Sequence, residues 1–435
     1  MPQKKLRLFM LLTSLILCLT AILPITAVHA DESFKVNAKA AFAVDAESGK
    51  ILYDQDGEKP MGIASITKII GLYIVLDQVK EGKLTWDEKV PISDYAEKLS
   101  VVPDLSNVPL HKENSYTVKE LFDSAFIQSA NASMVALAEK IAGSETKFLE
   151  LMKKQLKDWG INDATIVNAS GLNNSYLGEN RPEGTSETEE NQMSAKDVAI
   201  VARHLILDFP EVLKVTNTTN ETFGEGTQSP VEMVNWNWML SGFVNYKEGV
   251  DGLKTGTTEF AGACFVGTIN KEGRRVITVV LNADDHATNP SARFNETGRL
   301  MDYCYDNWSI KELGKSNASI PDLKNLAVKD GKETSVAVAL KNPVKVWVRN
   351  GMDTGKLKIT PTLDKKVVTN DQVAAPVNKG MKVGTATITL ADDSLGYLED
   401  NKEPTTDIIT AKSVEKANIF VIGWRHVSDF FSNLF

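Results

Sequence analysis

Cysteine is scarce in this chain. Three occur in 435 residues, and Cys18 lies in the N-terminal segment, so no disulfide framework holds the fold together. Cys264 and Cys304 read as buried apolar side chains. Positive charge is also in deficit, with 48 Lys plus Arg against 57 Asp plus Glu and no Lys/Arg-rich tract. An acidic chain of this kind is a poor partner for nucleic acid. There is no Gly-x-Ser-x-Gly elbow, no His-Glu-x-x-His pair, no phosphate-binding glycine loop and no dinucleotide fingerprint. His111, His204, His286 and His426 are scattered, which argues against a zinc peptidase. No cofactor and no metal are expected. No internal repeat is found.

The one long apolar run, Leu8 to Ile25, follows Lys4, Lys5 and Arg7 and leads to Ala27-Val28-His29-Ala30. This pattern reads as a signal peptide over residues 1–30, cleaved after Ala30, with a retained membrane anchor as the alternative. Leu17 is too bulky before Cys18 for a lipoprotein site. Cleavage removes three positive charges and no negative ones, taking the net charge from −9 to −12. The mature length suits two or three domains.

Ala41-Phe42-Ala43-Val44 and Ile51-Leu52-Tyr53 flank a turn at Glu47-Ser48-Gly49 and predict a hairpin. A helix is expected from about Ser65 to Val79. Thr117-x-x-Glu120 is a capping box that opens another helix, which breaks near Gln128 to Asn131. A further helix follows and stops at Gly143. Residues 178–192 are acidic and read as an exposed loop. Ser194-Ala195-Lys196-Asp197 opens the next helix. Strands are expected at Gly249–Lys254, Ala261–Ile269 and Arg275–Leu281, and a helix at Ser291–Trp308. Helices between the first and last strands suit an antiparallel sheet covered by helices, with the two ends of the domain adjacent in the sheet. After about Gly314, short alternating runs at Thr334–Leu340, Val344–Val348, Lys356–Thr360 and Gly384–Leu390 predict a small β-sandwich. The fold class is therefore α+β followed by a β domain. The domains are expected at 31–313, 314–412 and 413–435.

The last segment carries Phe420, Trp424, Val427, Phe431 and Leu434 at helical spacing, with Arg425, His426, Asp429 and Asn433 off that face. It is too short and polar to span a bilayer and reads as an amphipathic helix lying in a membrane surface. The alternative is a terminal helix packed on its own domain.

Three short motifs stand in order: Ser65-Ile66-Thr67-Lys68, Ser129-Ala130-Asn131 and Lys254-Thr255-Gly256. Ser-x-x-Lys alone means little, since it recurs at Ser144-Lys147 and Ser413-Lys416. The ordered set carries the signal. A serine needs a base beside it to act as a nucleophile, and residues three apart share a helical face, which brings Lys68 to Ser65. A helix start favours negative charge on the oxygen, and burial or nearby cations would free the Lys68 amine to take a proton. Ser129 can relay a proton, and Asn131 can bind an amide on both its faces. Lys254 and Thr255 offer a cation and a hydroxyl to a carboxylate, and Gly256 lets a ligand approach the backbone.

With these motifs in this order the chain resembles a low-molecular-weight penicillin-binding protein, a serine-type D-alanyl-D-alanine carboxypeptidase. Asn168-Ala169-Ser170-Gly171-Leu172, Ser194-Ala195-Lys196-Asp197 and Asp251-Gly252-Leu253-Lys254-Thr255-Gly256-Thr257 resemble family segments. The resemblance implies that Ser65 attacks the penultimate D-alanine and that Lys68 is the base. It makes Ser129 the proton carrier to the leaving group, and Asn131 a substrate ligand. The amides of Ser65 and Thr257 would form the oxyanion hole, and Lys254 and Thr255 would hold the terminal carboxylate. Arg293 adds positive charge to the cleft. Implied partners are the peptidoglycan stem peptide and β-lactams as covalent inhibitors. The implied location is the outer face of the cytoplasmic membrane, peripheral, through the terminal helix. Trp236 and Trp238 either wall the groove or belong to the core. Two other functions are considered. A β-lactamase of the same fold would use Glu187 and Asn191 as its Glu-x-x-x-Asn pair. The other is a non-catalytic cell-wall-binding protein.

Overall fold

A computed structural model describes residues 34–227, 230–399 and 403–432. The segment 1–30, read from the sequence as a signal peptide, lies outside the described residues. Alternating and apolar runs rich in Ala, Val and Ile form a five-stranded antiparallel sheet. Its strands are β1 (Ala38–Asp45), β2 (Ile51–Gln55), β3 (Val250–Thr258), β4 (Gly262–Lys271) and β5 (Arg274–Ala283), in the order β2-β1-β5-β4-β3. β1 pairs with β5, Phe42 opposite Val279, so the first and last strands of the domain are neighbours as expected. Both faces of this sheet are covered, and each therefore has its own apolar core.

One face carries the helical layer. Ala64–Thr67 form a 3-10 turn that leads into α1 (Lys68–Lys80). Thr117 and Glu120 form the predicted capping box of α2 (Val118–Ile127), and α3 (Asn131–Ala142) ends at Gly143 with φ +82°. α4 (Glu145–Asp158) follows, and α5 (Ala195–Asp208) is capped by the Ser194/Asp197 box. The other face is covered by α6 (Ala292–Asn307). Cys264 and Cys304 are free and buried in different cores. Burial pushes both thiols up, Cys264 to about 11.

The strand Trp308–Leu313 pairs with Val344–Arg349, so β structure begins ahead of the composition change after Gly314. This ribbon shares one apolar core with a seven-stranded sheet built from residues between Asn325 and Thr410. Its strands Asn325–Lys329, Gln372–Ala374 and Thr405–Thr410 carry no strong alternation signal and were not expected. The two units are joined at the β1–β2 turn. Lys50 is buried, donates to Asp393 (3.1 Å) and the Gly396 carbonyl (2.9 Å), and lies over the rings of Trp308 and Tyr397. Arg203 of α5 bonds Glu399 at 2.7 Å.

The last helix, α7 (Ile419–Ser432), leaves Phe420 and Trp424 85% and 75% exposed, with Val427 half exposed. Arg425, on another face, donates to the Gly331 carbonyl at 2.7 Å. The side chain of Phe431, and Leu434, lie outside the described residues. Among the described residues no helix is long and apolar enough to cross a membrane.

Candidate active site

The three motifs meet at one end of the helical layer against the edge strand β3. The 3-10 turn bearing Ser65 packs so tightly on β3 that a Cβ at Gly256 would lie 2.5 Å from the Ile63 carbonyl oxygen. The expected reason for this glycine was ligand approach. The close neighbour is instead the Ser65 turn itself, although Gly256 still lines the cleft. Gly171 plays the same part on the other side. It has φ +82°, and a Cβ there would sit 1.9 Å from the Ala64 carbonyl oxygen.

Lys68 is fully buried, and its Nζ has three neighbours. Ser65 Oγ is at 2.8 Å, Asn131 Oδ1 at 2.6 Å and the Ser170 carbonyl at 2.7 Å. Asn131 is oriented by its Nδ2, which donates to the Ser106 carbonyl at 2.9 Å, so its oxygen faces the lysine. A neutral amine has two N–H donors and one lone pair. The Asn131 and Ser170 oxygens can only accept and take both donors, which leaves the lone pair for the Ser65 hydroxyl. Burial, reinforced by the nearby Lys254, holds the Lys68 amine well below the usual lysine range.

Lys254 is buried beside it. Its Nζ donates to Ser129 Oγ at 2.9 Å and to the Thr255 carbonyl at 3.1 Å. Burial, then the charge of Arg293, lowers it to about 7. A substrate carboxylate seated there would favour its protonated form. Ser129 has φ +60° at the break between α2 and α3, a conformation that turns its hydroxyl toward Lys254. Arg293 of α6 donates to the Gly256 carbonyl (2.9 Å) and to Thr257 Oγ1 (2.8 Å), which fixes the end of β3. The cleft, of about 370 Å³, is lined by Ser65, Ser129, Thr255, Gly256, Thr257 and Arg293. Its walls include Trp236 and Trp238. Trp236 is 42% exposed, whereas Trp238 also packs on Phe294.

Sequence reasoning missed the supports beneath this site. Asn168 Oδ1 accepts from the amides of Gly171 (2.6 Å) and Leu172 (3.1 Å), folding the segment that aims the Ser170 carbonyl at Lys68. The buried Glu145 carboxyl accepts from the Ala169 amide at 2.8 Å. The acidic loop is not exposed throughout. Glu190 is 3% exposed and accepts from Thr258 Oγ1 at 2.5 Å, while Asn191 donates to Thr67 Oγ1 at 3.0 Å. An acid-rich composition hides this, because the two residues that turn inward look like their solvated neighbours. Glu187 stays exposed and is not among the cleft residues.

A family profile for D-alanyl-D-alanine carboxypeptidase matches residues 25–285, and one for the C-terminal domain of penicillin-binding protein 5 matches residues 308–416. The D-alanyl-D-alanine carboxypeptidase DacF of Bacillus subtilis is 28% identical over 372 residues, 84% of this chain and 86% of that protein. The crystal structure of a peptidoglycan synthesis regulatory factor, PBP3, from Streptococcus pneumoniae is 40% identical. It covers 88% of this chain and 100% of its own, with a TM-score of 0.72. Penicillin-binding protein D2 of Listeria monocytogenes, solved in its ampicillin-bound form, is 30% identical. It covers 62% of this chain and 98% of its own, with a TM-score of 0.51. With a serine, a desolvated lysine and a carboxylate-sized cationic corner gathered in one cleft, the chain belongs to the D-alanyl-D-alanine carboxypeptidase family and is a serine-type D-Ala-D-Ala carboxypeptidase of the low-molecular-weight penicillin-binding proteins.

Proposed function

We propose that this enzyme removes the terminal D-alanine of peptidoglycan stem peptides through an ester on Ser65. Ser65 Oγ attacks the carbonyl carbon of the penultimate D-alanine, and its proton passes to the lone pair of Lys68. The carbonyl electrons move onto oxygen, where the amides of Ser65 and Thr257 receive them. Ser129, bonded to Lys254, hands its proton to the departing nitrogen and is reprotonated by Lys68, which returns to its neutral form. The C–N bond breaks and D-alanine leaves. Water then attacks the ester, Lys68 takes its proton and returns it to Ser65 Oγ as the acyl C–O bond breaks, and the shortened peptide leaves. Lys254 and Thr255 hold the terminal carboxylate, while Asn131, expected from the sequence to bind the substrate amide, has its oxygen on Lys68 and its Nδ2 on the Ser106 carbonyl and so positions the base. β-Lactams acylate the same serine.

The observation that carries this reading is the placing of the buried Lys68 Nζ 2.8 Å from Ser65 Oγ, with two fixed acceptors, Asn131 Oδ1 and the Ser170 carbonyl, for the N–H donors of its neutral form. The β-lactamase alternative needs Glu187 to activate water, and that side chain is exposed. The test is D-alanine release from a D-Ala-D-Ala-ended peptide and from its C-terminal amide. A charged contact to the carboxylate is worth roughly 1.5–3 kcal/mol, so the amide should be turned over about ten- to a hundredfold less well. Equal turnover of acid and amide would remove Lys254 from this role.

The same reading places the mature enzyme outside the cell, at the surface of the cytoplasmic membrane. Phe420, Trp424 and Val427 present an apolar stripe. Burial of each such side chain is worth roughly 1.5–3 kcal/mol, enough in sum for reversible binding. Liposome sedimentation of the full chain and of one ending at Ser413 tests this. Equal partitioning of the two would refute it.

A further inference from the structure

The two amides that receive the developing negative charge lie on different pieces of chain. That of Ser65 is on the 3-10 turn, and that of Thr257 is near the end of β3. A site of this kind works only if its donors are held to within about 0.5 Å. Two consecutive buried residues, Glu190 and Asn191, reach one piece each. Glu190 Oε2 accepts from Thr258 Oγ1 at 2.5 Å, one residue beyond Thr257. The same hydroxyl accepts from the Ala261 amide at 2.9 Å and so closes the turn between β3 and β4. Asn191 brackets Ser65 on the other side. Its carbonyl accepts from the Ile63 amide at 3.2 Å, and its Nδ2 donates to Thr67 Oγ1 at 3.0 Å. Its Oδ1 accepts from the Val167 amide at 2.7 Å, which fixes the pair to the chain that leads to Ser170.

Glu190 also starts from a fixed stem. The acidic loop is pinched at its base, where Asn173 Nδ2 donates to Glu190 Oε1 (3.0 Å) and to the Thr188 carbonyl (3.2 Å), and the Asn174 amide donates to the Glu189 carbonyl (3.0 Å). Both carboxylate oxygens of Glu190 are therefore bonded, as a buried carboxylate requires. Hydrogen bonds to a carboxylate are about twice as strong as neutral ones, which makes this a firm hold on the end of β3. We propose that Glu190 is a positioning residue that sets the spacing of the two oxyanion amides, with Asn191 as its anchor on the Ser65 turn. The inference rests on the carboxypeptidase reading. Without Glu190 the Thr258 hydroxyl loses its acceptor, and the Thr257 amide is free to drift from that of Ser65. The loss falls on the transition state, where the oxygen is charged, and spares ground-state binding.

The experiment measures benzylpenicillin acylation as two constants, the dissociation constant of the non-covalent complex and the rate constant of acylation. In Glu190→Ala the rate constant should fall about ten- to a hundredfold, less than the roughly 10²–10³ of losing an oxyanion donor outright. The dissociation constant should change less than about threefold. Thr258→Val should behave alike, and the double variant should be no slower than the slower single one, because the two side chains form one contact. Glu190→Gln keeps an oxygen for Thr258 and should stay within about threefold of wild type. Infrared difference spectra of the acyl-enzyme supply the readout that a merely structural role would not move. Hydrogen bonds from the two amides lower the stretching frequency of the ester carbonyl, so its band should rise in Glu190→Ala and Thr258→Val and hold in Glu190→Gln. A Glu190→Ala enzyme that is acylated at the wild-type rate, or one that is slowed with its carbonyl band unmoved, overturns the proposal. Release of D-alanine from a D-Ala-D-Ala-ended peptide by the wild type tests the parent activity separately.

Discussion

Replacing Asn131 by aspartate changes one atom of the hydrogen-bond set around Lys68, and its consequence can be worked through. In the wild type an amide oxygen lies 2.6 Å from Lys68 Nζ and carries no net charge. In Asn131→Asp a carboxylate takes that place in a buried site. An opposite charge at this range raises a lysine pKa by about 1–3 units. It offsets the burial that now holds the amine down. Only the neutral amine can take the Ser65 proton, so the acid limb of acylation should move up in pH by that amount. At any pH below the shifted limb the rate should fall about tenfold per unit and recover as pH rises. The Ser106 carbonyl also loses the Nδ2 donor that it accepts in the wild type. That cost does not depend on pH and lowers the plateau rather than moving the limb. The assay is stopped-flow acylation by a fluorescent penicillin between pH 6 and 10, with Asn131→Ala as the control for the lost amide. Asn131→Ala should slow acylation without shifting the limb upward. If Asn131→Asp shows a lowered plateau and an unmoved limb, Lys68 is not the group whose neutral form matters.

Three further outcomes are expected, two from the supports of the site and one from the exposed Glu187. Gly171→Ala must relieve a 1.9 Å contact with the Ala64 carbonyl at a left-handed backbone position, so it should destabilise the enzyme by roughly 1–3 kcal/mol or more and slow acylation, read by urea unfolding and penicillin labelling. Glu145 is raised by burial from an ordinary 4.5 to about 7. Below pH 4.5 folded and unfolded states both hold its proton, and between 4.5 and 7 only the unfolded state releases it, so folding stability is lost as pH rises through that window. Glu145→Gln should remove about 3 kcal/mol of that decline, and parallel pH profiles of the two proteins would refute it. Glu187→Gln should leave deacylation near wild type in a nitrocefin chase, and a long-lived acyl-enzyme would instead favour the β-lactamase reading.

The backbone of this fold was legible wherever one physical signal dominated. The capping boxes at Thr117 and Ser194, the glycine stop at Gly143 and the apolar strands of the central sheet all stand where local chemistry put them. The motif residues were legible because the chemistry expected of them needs particular side chains at particular spacings, and the structure brings Ser65 and Asn131 within hydrogen-bond reach of Lys68, and Ser129 within reach of Lys254. Long-range supports were not legible. Nothing local marks Glu190 as the acid that turns inward to Thr258, or Ser170 as a carbonyl for Lys68, since both depend on contacts made across the chain. The short strand Gln372–Ala374 pairs in parallel with Asn325–Lys329, a tertiary arrangement with no turn signal to announce it.

The central claim is that Ser65 carries the acyl group, and intact-protein mass spectrometry after incubation with benzylpenicillin tests it most directly. The wild type should gain the mass of one penicilloyl group, mapped by proteolysis to the peptide containing Ser65. Ser65→Ala should gain none and release no D-alanine. A penicilloyl adduct that persists in Ser65→Ala, or that maps to Ser129 in the wild type, would contradict the account.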